Sequence, residues 1–177
     1  DQTIIGHGLP IHTGGFTNNF EWKNFDLSIF FQWSYGNDVI NYNRVKLESL
    51  RGNHVNQLSS AANHWTPRID NGDGTYTDGN YTNYLCAVNR SLSNVNTSRE
   101  VEDASFLRLK NIQLGYNFPT KMLKNIKVRS LRLYFTAQDL LTFTKYTGYD
   151  PEVSTRNSAM TRGFDYSSYP KTTSFTF

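Results

Sequence analysis

The sequence has a single cysteine and no long apolar run. Cys86 is the one cysteine among 177 residues, which excludes an intrachain disulfide and any metal cluster held by cysteines. No stretch approaches the roughly 18 consecutive apolar residues that a membrane-spanning helix requires. The formal net charge of +3 is too small for the basic surface of a nucleic-acid-binding protein. These features argue against a disulfide scaffold, a helical membrane protein and a nucleic-acid partner.

The composition is polar on average but rich in aromatic residues. Hydrophobic residues make up 37% of the chain, below the usual share for a globular core, whereas Phe, Tyr and Trp reach 15%. A helical bundle would favour Leu and Ala, and a disordered chain would lack aromatic residues. The combination favours antiparallel strands that have one apolar and one solvated face.

Alternation of apolar and polar residues identifies the strands. From Phe25 to Tyr35 every odd position is apolar, and the even positions are polar except Phe30. Lys23-Asn24 predicts a tight hairpin turn, in which the Asn is able to adopt a positive φ. The parity of the apolar residues changes near Lys110, which a β-bulge or departure from the apolar layer would explain. The predicted strands cover residues 14–22, 25–36, 105–118, 128–143 and 169–177.

The connections between these strands alternate between short and long. Lys23-Asn24 and residues 119–127 are short, whereas 37–104 and 144–168 are long. In an antiparallel meander, alternate connections lie at opposite ends of the sheet, so one end carries tight turns and the other carries long loops. Outer-membrane barrels have this asymmetry. A strand from Phe25 to Tyr35 would be about 33 Å long, and a tilt of roughly 40° would let it cross an apolar band of about 25 Å.

A soluble β-sandwich produces the same alternation of apolar and polar faces. The pattern therefore leaves open a soluble β-rich carbohydrate-binding or adhesion module. Five strands do not close a bacterial outer-membrane barrel, which has at least eight. If the sheet is such a barrel, we expect the chain to be part of a larger protein.

Several ordered motifs resemble the SusC/RagA family of TonB-dependent outer-membrane transporters. They are GHGLP at 6–10, TGGFTN at 13–18, WKNFDLS at 22–28, VEDASFLRLKNI at 101–112, LGYNFP at 114–119, LRLY at 131–134, AQDL at 137–140 and TFTKYTGYDPE at 142–152. The resemblance implies an all-β fold, in which an antiparallel meander forms the last strands of a 22-stranded transmembrane β-barrel with long extracellular loops. Residues 1–177 would then be the C-terminal segment of the barrel, without its plug domain, and the C-terminus would be periplasmic.

The same resemblance implies function and partners. The family imports oligosaccharides, or in some members peptides, with a SusD-like surface lipoprotein at the extracellular mouth. TonB would act through the plug, which these residues do not include. Outer-membrane lipid would contact the apolar face.

Two groups of residues are candidate substrate contacts. Gln32, Arg132 and Gln138 have the parity of the lumen-facing side, where they would otherwise solvate the interior or contact the plug. Tyr42, Asn43 and Tyr84 lie in a long loop rich in Asn and Tyr, which suits stacking on sugar faces and hydrogen bonding to hydroxyls. An ordinary polar loop or a lipoprotein interface would have the same composition.

The sequence contains no pattern that predicts catalysis. There is no Ser-His-Asp set, phosphate loop or zinc motif, and nothing suggests acid–base work for Asp150 and Glu152 beside Pro151. Asp70–Gly74 is reminiscent of a calcium loop, but glycines stand at positions where oxygen ligands are needed. We therefore expect a Gly-rich turn there, and a protein that is not an enzyme and has no metal site or cofactor.

Overall fold

The described part of the chain is dominated by strands. The structure is a computed structural model that describes residues 3–48, 56–80, 97–124, 127–153 and 162–177. In chain order the elements are β1 (His12–Trp22), β2 (Phe25–Tyr35), β3 (Asp38–Asn41), α1 (Tyr42–Leu47), a 3₁₀ turn (Ser59–Ala62), β4 (Ile69–Asp70), β5 (Tyr76–Thr77), β6 (Val101–Asp103), β7 (Phe106–Asn117), α2 (Thr120–Leu123), β8 (Arg132–Thr144), β9 (Phe164–Asp165) and β10 (Ser174–Thr176). Within these ranges no helix is long and apolar enough to cross a membrane.

The main sheet is an antiparallel meander of five strands in the order β1-β2-β7-β8-β10. β1 and β2 pair without interruption from His12↔Tyr35 to Trp22↔Phe25. Their two-residue turn has its positive φ of 55° at Lys23 rather than at Asn24. The prediction of an all-β antiparallel meander is confirmed. The turn residue that adopts the left-handed conformation is Lys23 and not the predicted Asn24.

A β-bulge at Lys110 offsets the register of β7 against both of its neighbours. Phe30 pairs with Asn111 and the next residue, Phe31, pairs with Leu109, so Lys110 is the extra residue. On the other side, β8 accommodates the bulge near Asp139, which has a φ of 49°. Lys110 Nζ donates to Asp139 Oδ1 at 2.8 Å. Because the extra residue reverses the parity, the apolar residues on both sides of it remain on the same face.

One face of the main sheet is largely apolar, with His12 and Asn18 on β1 as polar exceptions, and is open in the described part of the chain. Phe16 on β1 is 52% exposed and Leu133 on β8 is 60% exposed. Aromatic rings contact one another at the ends of the strands: Phe25 lies 4.6 Å from Tyr116 between ring centroids. The same face carries Phe20, Trp22, Leu27, Ile29, Phe31, Trp33, Leu107, Leu109, Ile112, Leu114, Phe135, Ala137, Leu141, Phe143 and Phe175. The opposite face is mostly polar, as the alternation predicted, but it also carries Phe30, Phe106 and Tyr134.

The strand bounds differ from the predicted ones mainly at the C-terminal strand. Residues 169–177 form only the short strand β10. Pro170 lacks a backbone N–H and cannot contribute to the ladder. The side chains that follow it bind other groups: Lys171 forms an ion pair with Glu152, and Thr173 Oγ1 donates to the carbonyl of Asp139 at 3.0 Å. β8 likewise begins at Arg132 rather than at residue 128.

A second layer lies at the end of the sheet where β2 and β8 finish and β7 begins. There β3 pairs antiparallel with β6 and parallel with β9. We call β3, β6, β9 and α1 the loop layer. Its core contains Val39, Ala104 and Tyr146. Both long connections, 37–104 and 144–168, therefore emerge at one end of the sheet, and the Lys23-Asn24 turn and residues 118–131 connect strands at the other end.

Candidate lumenal site

A buried arginine organises the polar face of the main sheet near the loop layer. Arg108 on β7 is 2% exposed. Its Nη2 donates to Asp150 Oδ1 at 2.6 Å, and its Nη1 donates to Glu152 Oε2 at 3.0 Å. Its Nε donates to Thr142 Oγ1 on β8 at 2.9 Å. The guanidinium is thus neutralised by carboxylates that reach it from the segment after β8.

That segment, residues 145–153, is here called the strap. The strap is held by Asp150 and by Glu152. The carboxylate of Glu152 pairs with Lys171 as well as with Arg108, and it accepts a long hydrogen bond of 3.4 Å from Gln32 Nε2. The amide N–H of Glu152 donates to Asp150 Oδ1 at 2.9 Å, which closes a turn around Pro151. The strap therefore lies across the polar face of the sheet and is held by charged groups of β7 and the C-terminal segment.

Glu102 on β6 holds the first half of the strap to the loop layer. Its carboxylate accepts from the backbone N–H of Thr147 at 2.8 Å and from Arg44 Nη1 at 3.0 Å. Asn41 Nδ2 donates to it at 3.2 Å. Burial by itself raises the pKa of Glu102, but these hydrogen bonds outweigh it and leave the pKa below its ordinary value.

A second buried pair lies under the loop layer. Tyr146 Oη donates to Asp165 Oδ2 at 2.6 Å. Asp165 is fully buried, and its Oδ1 has no hydrogen-bond partner within the described part of the chain. Burial, together with the bond to Asp165 and its charge, raises the pKa of Tyr146 well above its ordinary value. The tyrosine therefore remains a neutral donor for the carboxylate.

A cavity of about 320 Å³ lies between the strap, the inner face of β2 and the segment before β1. Gln32 and Ser34 line it from β2, and Glu152 lines it from the strap. Gly8 closes one side, where a Cβ would lie 2.6 Å from the carbonyl oxygen of Arg162. The walls combine amide, hydroxyl and carboxylate groups with the ring of Phe106.

The structure separates the predicted contact residues of the polar face. Gln32 lies in the cavity, whereas Arg132 binds Asp26 at 2.5 Å near the short-turn end. Asp26 is six residues from Gln32 along β2, a distance of about 20 Å. Gln138 lies on β8 beside Ser174 of β10, whose Oγ donates to it at 3.4 Å. These three side chains do not form one site.

The predicted loop contacts lie in the loop layer or outside the described residues. Tyr42 packs its ring against Phe164 and Tyr166 at centroid distances of 5.3 and 5.2 Å. Asn43 Oδ1 accepts from the backbone N–H of Ser167 at 2.8 Å, and its Nδ2 is buried with no partner among the residues that the structure describes. Tyr84 lies outside the described residues. A role of these residues in substrate contact stays a prediction.

The Asp70–Gly74 segment forms the loop of the β4–β5 hairpin. Asp70 Oδ1 accepts from the N–H of Gly72 at 2.9 Å, and Asp73 Oδ1 accepts from the N–H of Thr75 at 2.8 Å. The bonds from Thr75 lower the pKa of Asp73. Gly72 and Gly74 have φ values of 76° and 84°. The prediction of a Gly-rich turn is confirmed.

Sequence reasoning missed the pairing between Arg108 and the strap. The sequence alone predicts no role for Asp150 and Glu152, beyond showing no sign of acid–base work. In the structure both carboxylates pair with the guanidinium of Arg108. A signal was available, because Arg108 stands at the parity opposite to Leu107 and Leu109 and therefore points to the polar face. The motif containing Arg108 and the motif containing both carboxylates are in direct contact in the structure.

The chain is similar to TonB-dependent receptors over almost its entire length. It is 39% identical over 181 residues to TonB-dependent receptor P3 of Formosa agariphila, and the match covers 99% of this chain and 17% of that receptor. It is 30% identical over 169 residues to TonB-dependent receptor SusC of Bacteroides thetaiotaomicron, covering 91% of this chain and 14% of SusC. No family model matches. The chain thus spans less than a fifth of the length of these relatives.

A solved structure shows the same arrangement of strands. The structure of the RagAB peptide transporter matches with a TM-score of 0.72 and 29% identity, covering 92% of this chain and 16% of that chain. The RagAB peptide importer in its closed-closed state matches with a TM-score of 0.70 and covers 97% of this chain.

The meander, its open apolar face and these similarities define a barrel segment of a TonB-dependent outer-membrane receptor. The chain is a SusC/RagA-like portion of such a receptor, as the sequence motifs indicated. The protein is accordingly located in the outer membrane, and its apolar sheet face is the one that suits lipid.

Proposed function

We propose that this chain forms part of the barrel wall of an importer that carries oligosaccharides across the outer membrane together with a SusD-like surface lipoprotein. The observation that carries the proposal is the division of the main sheet into an apolar face and a polar face covered by the strap. A barrel wall needs the apolar face toward lipid and the polar face toward a wet channel. Peptide import is the second candidate, favoured by the similarity to the RagAB peptide transporter.

We further propose the orientation of the segment. The Lys23-Asn24 turn, residues 118–131 and the C-terminus would be periplasmic, and the loop layer would be extracellular, because outer-membrane barrels have short periplasmic turns and longer extracellular loops. Energy transfer from TonB would act on a plug portion of the whole receptor. This segment would form the barrel wall and contact substrate, and it would not catalyse a reaction. Relatives that are named as receptors and transporters support this proposal.

Among the candidate contact residues, Gln32 has the strongest structural support, since its amide lines the cavity under the strap. Arg132 and Gln138 would line the channel below it, and Tyr42, Asn43 and Tyr84 would belong to the extracellular mouth. Substrate would pass from the loop layer along the polar face.

Uptake by whole cells tests the proposed transport. Cells that express the full-length receptor should accumulate a fluorescent oligosaccharide but not a fluorescent peptide of similar length, and should lose this uptake when either the receptor or its partner lipoprotein is deleted. Uptake of the peptide alone would establish the second candidate. Uptake that is unchanged without the receptor would refute transport by this protein.

A pair of adjacent substitutions on β2 tests which face contacts lipid. Ile29→Lys places a charge on the apolar face and should destabilise the full-length barrel by about 2–4 kcal/mol in membranes. Ser28→Lys is the matched control, because its side chain belongs to the polar face. Equal effects of the two variants on urea-induced unfolding in lipid vesicles would contradict the assignment of the faces.

A further inference from the structure

The cavity under the strap offers more hydrogen-bonding groups than its own walls satisfy. Ser34 Oγ donates to Asn37 Oδ1 at 2.8 Å, which fixes the amide plane. Asn37 is 8% exposed, and the Nδ2 of its amide can donate two hydrogen bonds. Gln32 Nε2 makes only the long 3.4 Å bond to Glu152. Two amides of fixed position therefore have donor capacity that a bound molecule could use.

The charges around the cavity are largely balanced internally. The carboxylate of Glu152 is paired with Arg108 and Lys171. Its oxygens can still accept hydroxyl donors, because a carboxylate offers about four lone-pair sites. The pairing removes the demand for a cationic ligand. The one further charged residue of the wall, Arg162, is exposed and stands beside Gly8.

The remaining wall is apolar and of a size suited to one small ring. Phe106 is buried, and it lines the cavity together with Pro10 and Pro151. The volume of about 320 Å³ lies at the lower end of the range for small-molecule sites. A sugar ring presents one apolar C–H face and a rim of hydroxyls, which matches an apolar wall flanked by amides and a carboxylate.

The backbone around the cavity disfavours an extended peptide. β2 pairs with β1 on one side and β7 on the other, so the N–H and C=O groups of Gln32 and Ser34 are used by the ladders. A peptide strand binds chiefly by adding to an open sheet edge. A peptide would therefore find no free strand edge of β2 in this cavity.

We propose that the cavity between β2 and the strap is a subsite that holds one sugar residue of a transported oligosaccharide through Gln32, Asn37 and Glu152. This rests on the proposed import of oligosaccharides and specifies where a residue of the substrate is held. The strap forms one wall, so the ion pairs of Arg108 position Glu152 for the ligand.

The experiment uses the full-length receptor purified in detergent and a panel of methyl glycosides, comprising methyl glucoside, galactoside, mannoside, xyloside and glucuronide. Saturation-transfer NMR should detect at least one of them. Thr13→Trp fills the cavity from an exposed position opposite Ser34 and should abolish that signal. Gln32→Ala should weaken binding about three- to tenfold. Gln113→Ala is the matched control. Gln113 lies on the same face but pairs with Ser28, which is about 13 Å from Gln32 along β2. The Gln113→Ala receptor should therefore bind the glycoside as the wild type does.

Absence of signal for every glycoside, or a signal that survives Thr13→Trp, would overturn the subsite. Binding of a blocked alanine tripeptide that Thr13→Trp abolishes, without glycoside binding, would also overturn it. Whole-cell uptake separates the two proposals: uptake of oligosaccharide without glycoside binding in the cavity would sustain import and reject the subsite. Glycoside binding in a receptor that imports no oligosaccharide would reject import and, with it, the assignment of the bound sugar to a transported substrate.

Discussion

Arg108 Nη2 and Asp150 Oδ1 lie 2.6 Å apart although 42 residues separate them in the chain. Both residues are almost completely buried. The pair joins the polar face of β7 to the strap, and so couples the barrel wall to the long connection after β8. Because a buried charge without its partner is strongly disfavoured, this contact determines where the strap can lie.

Removal of this arginine should destabilise the receptor. Arg108→Met leaves the buried Asp150 without its cation and leaves Glu152 paired with Lys171 alone, and we expect a loss of about 3–5 kcal/mol in the free energy of unfolding. Urea titration of the full-length receptor in lipid vesicles measures it. Arg132→Met is the matched control: the Arg132–Asp26 pair has side chains that are 46% and 27% exposed, so its loss should be about 0–1 kcal/mol. Equal effects of both substitutions would show that burial does not distinguish the two pairs.

The buried tyrosine hydroxyl should matter more than an exposed one. Tyr146→Phe removes the hydrogen bond to Asp165, whose other carboxylate oxygen already lacks a partner, and should cost about 1–3 kcal/mol. Tyr149→Phe is the control, because Tyr149 is 73% exposed and should change stability little. Limited proteolysis of the loop layer together with thermal unfolding provides the measurement. A Tyr146→Phe receptor with wild-type protease resistance would contradict the assigned role.

The loop layer should weaken in acid through Glu102. An unfolded glutamate titrates near 4.5, and the folded pKa of Glu102 is lower. A carboxylate with a depressed folded pKa contributes stability that is fully present above the unfolded pKa and is lost as the pH falls through the folded pKa. We therefore expect the unfolding temperatures of wild type and Glu102→Gln to differ near pH 7 and to converge as the pH falls below 4.5 and through the folded pKa of Glu102.

Glu21→Gln, at an exposed position on β1 outside the loop layer, is the control for the substitution itself. A gap between wild type and Glu102→Gln that stays constant from about pH 7 to about pH 3 would mean that Glu102 acts through shape and not through its charge.

A glycine on the apolar face should control the position of a tryptophan. The indole of Trp33 lies across Gly14, where an added Cβ would stand 2.3 Å from the ring. Gly14→Ala should displace the indole and break its 3.2 Å bond from Nε1 to His12 Nδ1. The emission maximum of Trp33, measured in a receptor whose other tryptophans are replaced by Phe, should shift. Thr17→Ala, on the opposite face of β1, should leave it unchanged.

The sequence by itself determined the main sheet. A strand alternates its side chains between two faces, so the run from Phe25 to Tyr35 specified both the strand and its apolar side. The parity change near Lys110 indicated either a bulge or departure from the apolar layer, and the strand register shows the bulge. These are local rules, and they hold wherever a strand is half apolar. The alternation does not specify the positive φ of Lys23 or the short length of β10, because both depend on contacts with neighbouring residues.

Only the tertiary structure decided which polar residues form a site. Gln32 and Arg132 both lie on the polar face, yet at different ends of it. The alternation predicts which face of the sheet a side chain occupies, but not its position along the strands. Arg108 and the strap meet because the loop layer brings residue 150 back over β7, and long-range contacts of this kind depend on how a connection folds. The alternation of residues therefore predicts the two faces of the barrel wall. The cavity beneath the strap depends instead on ion pairs between residues that are distant in the chain.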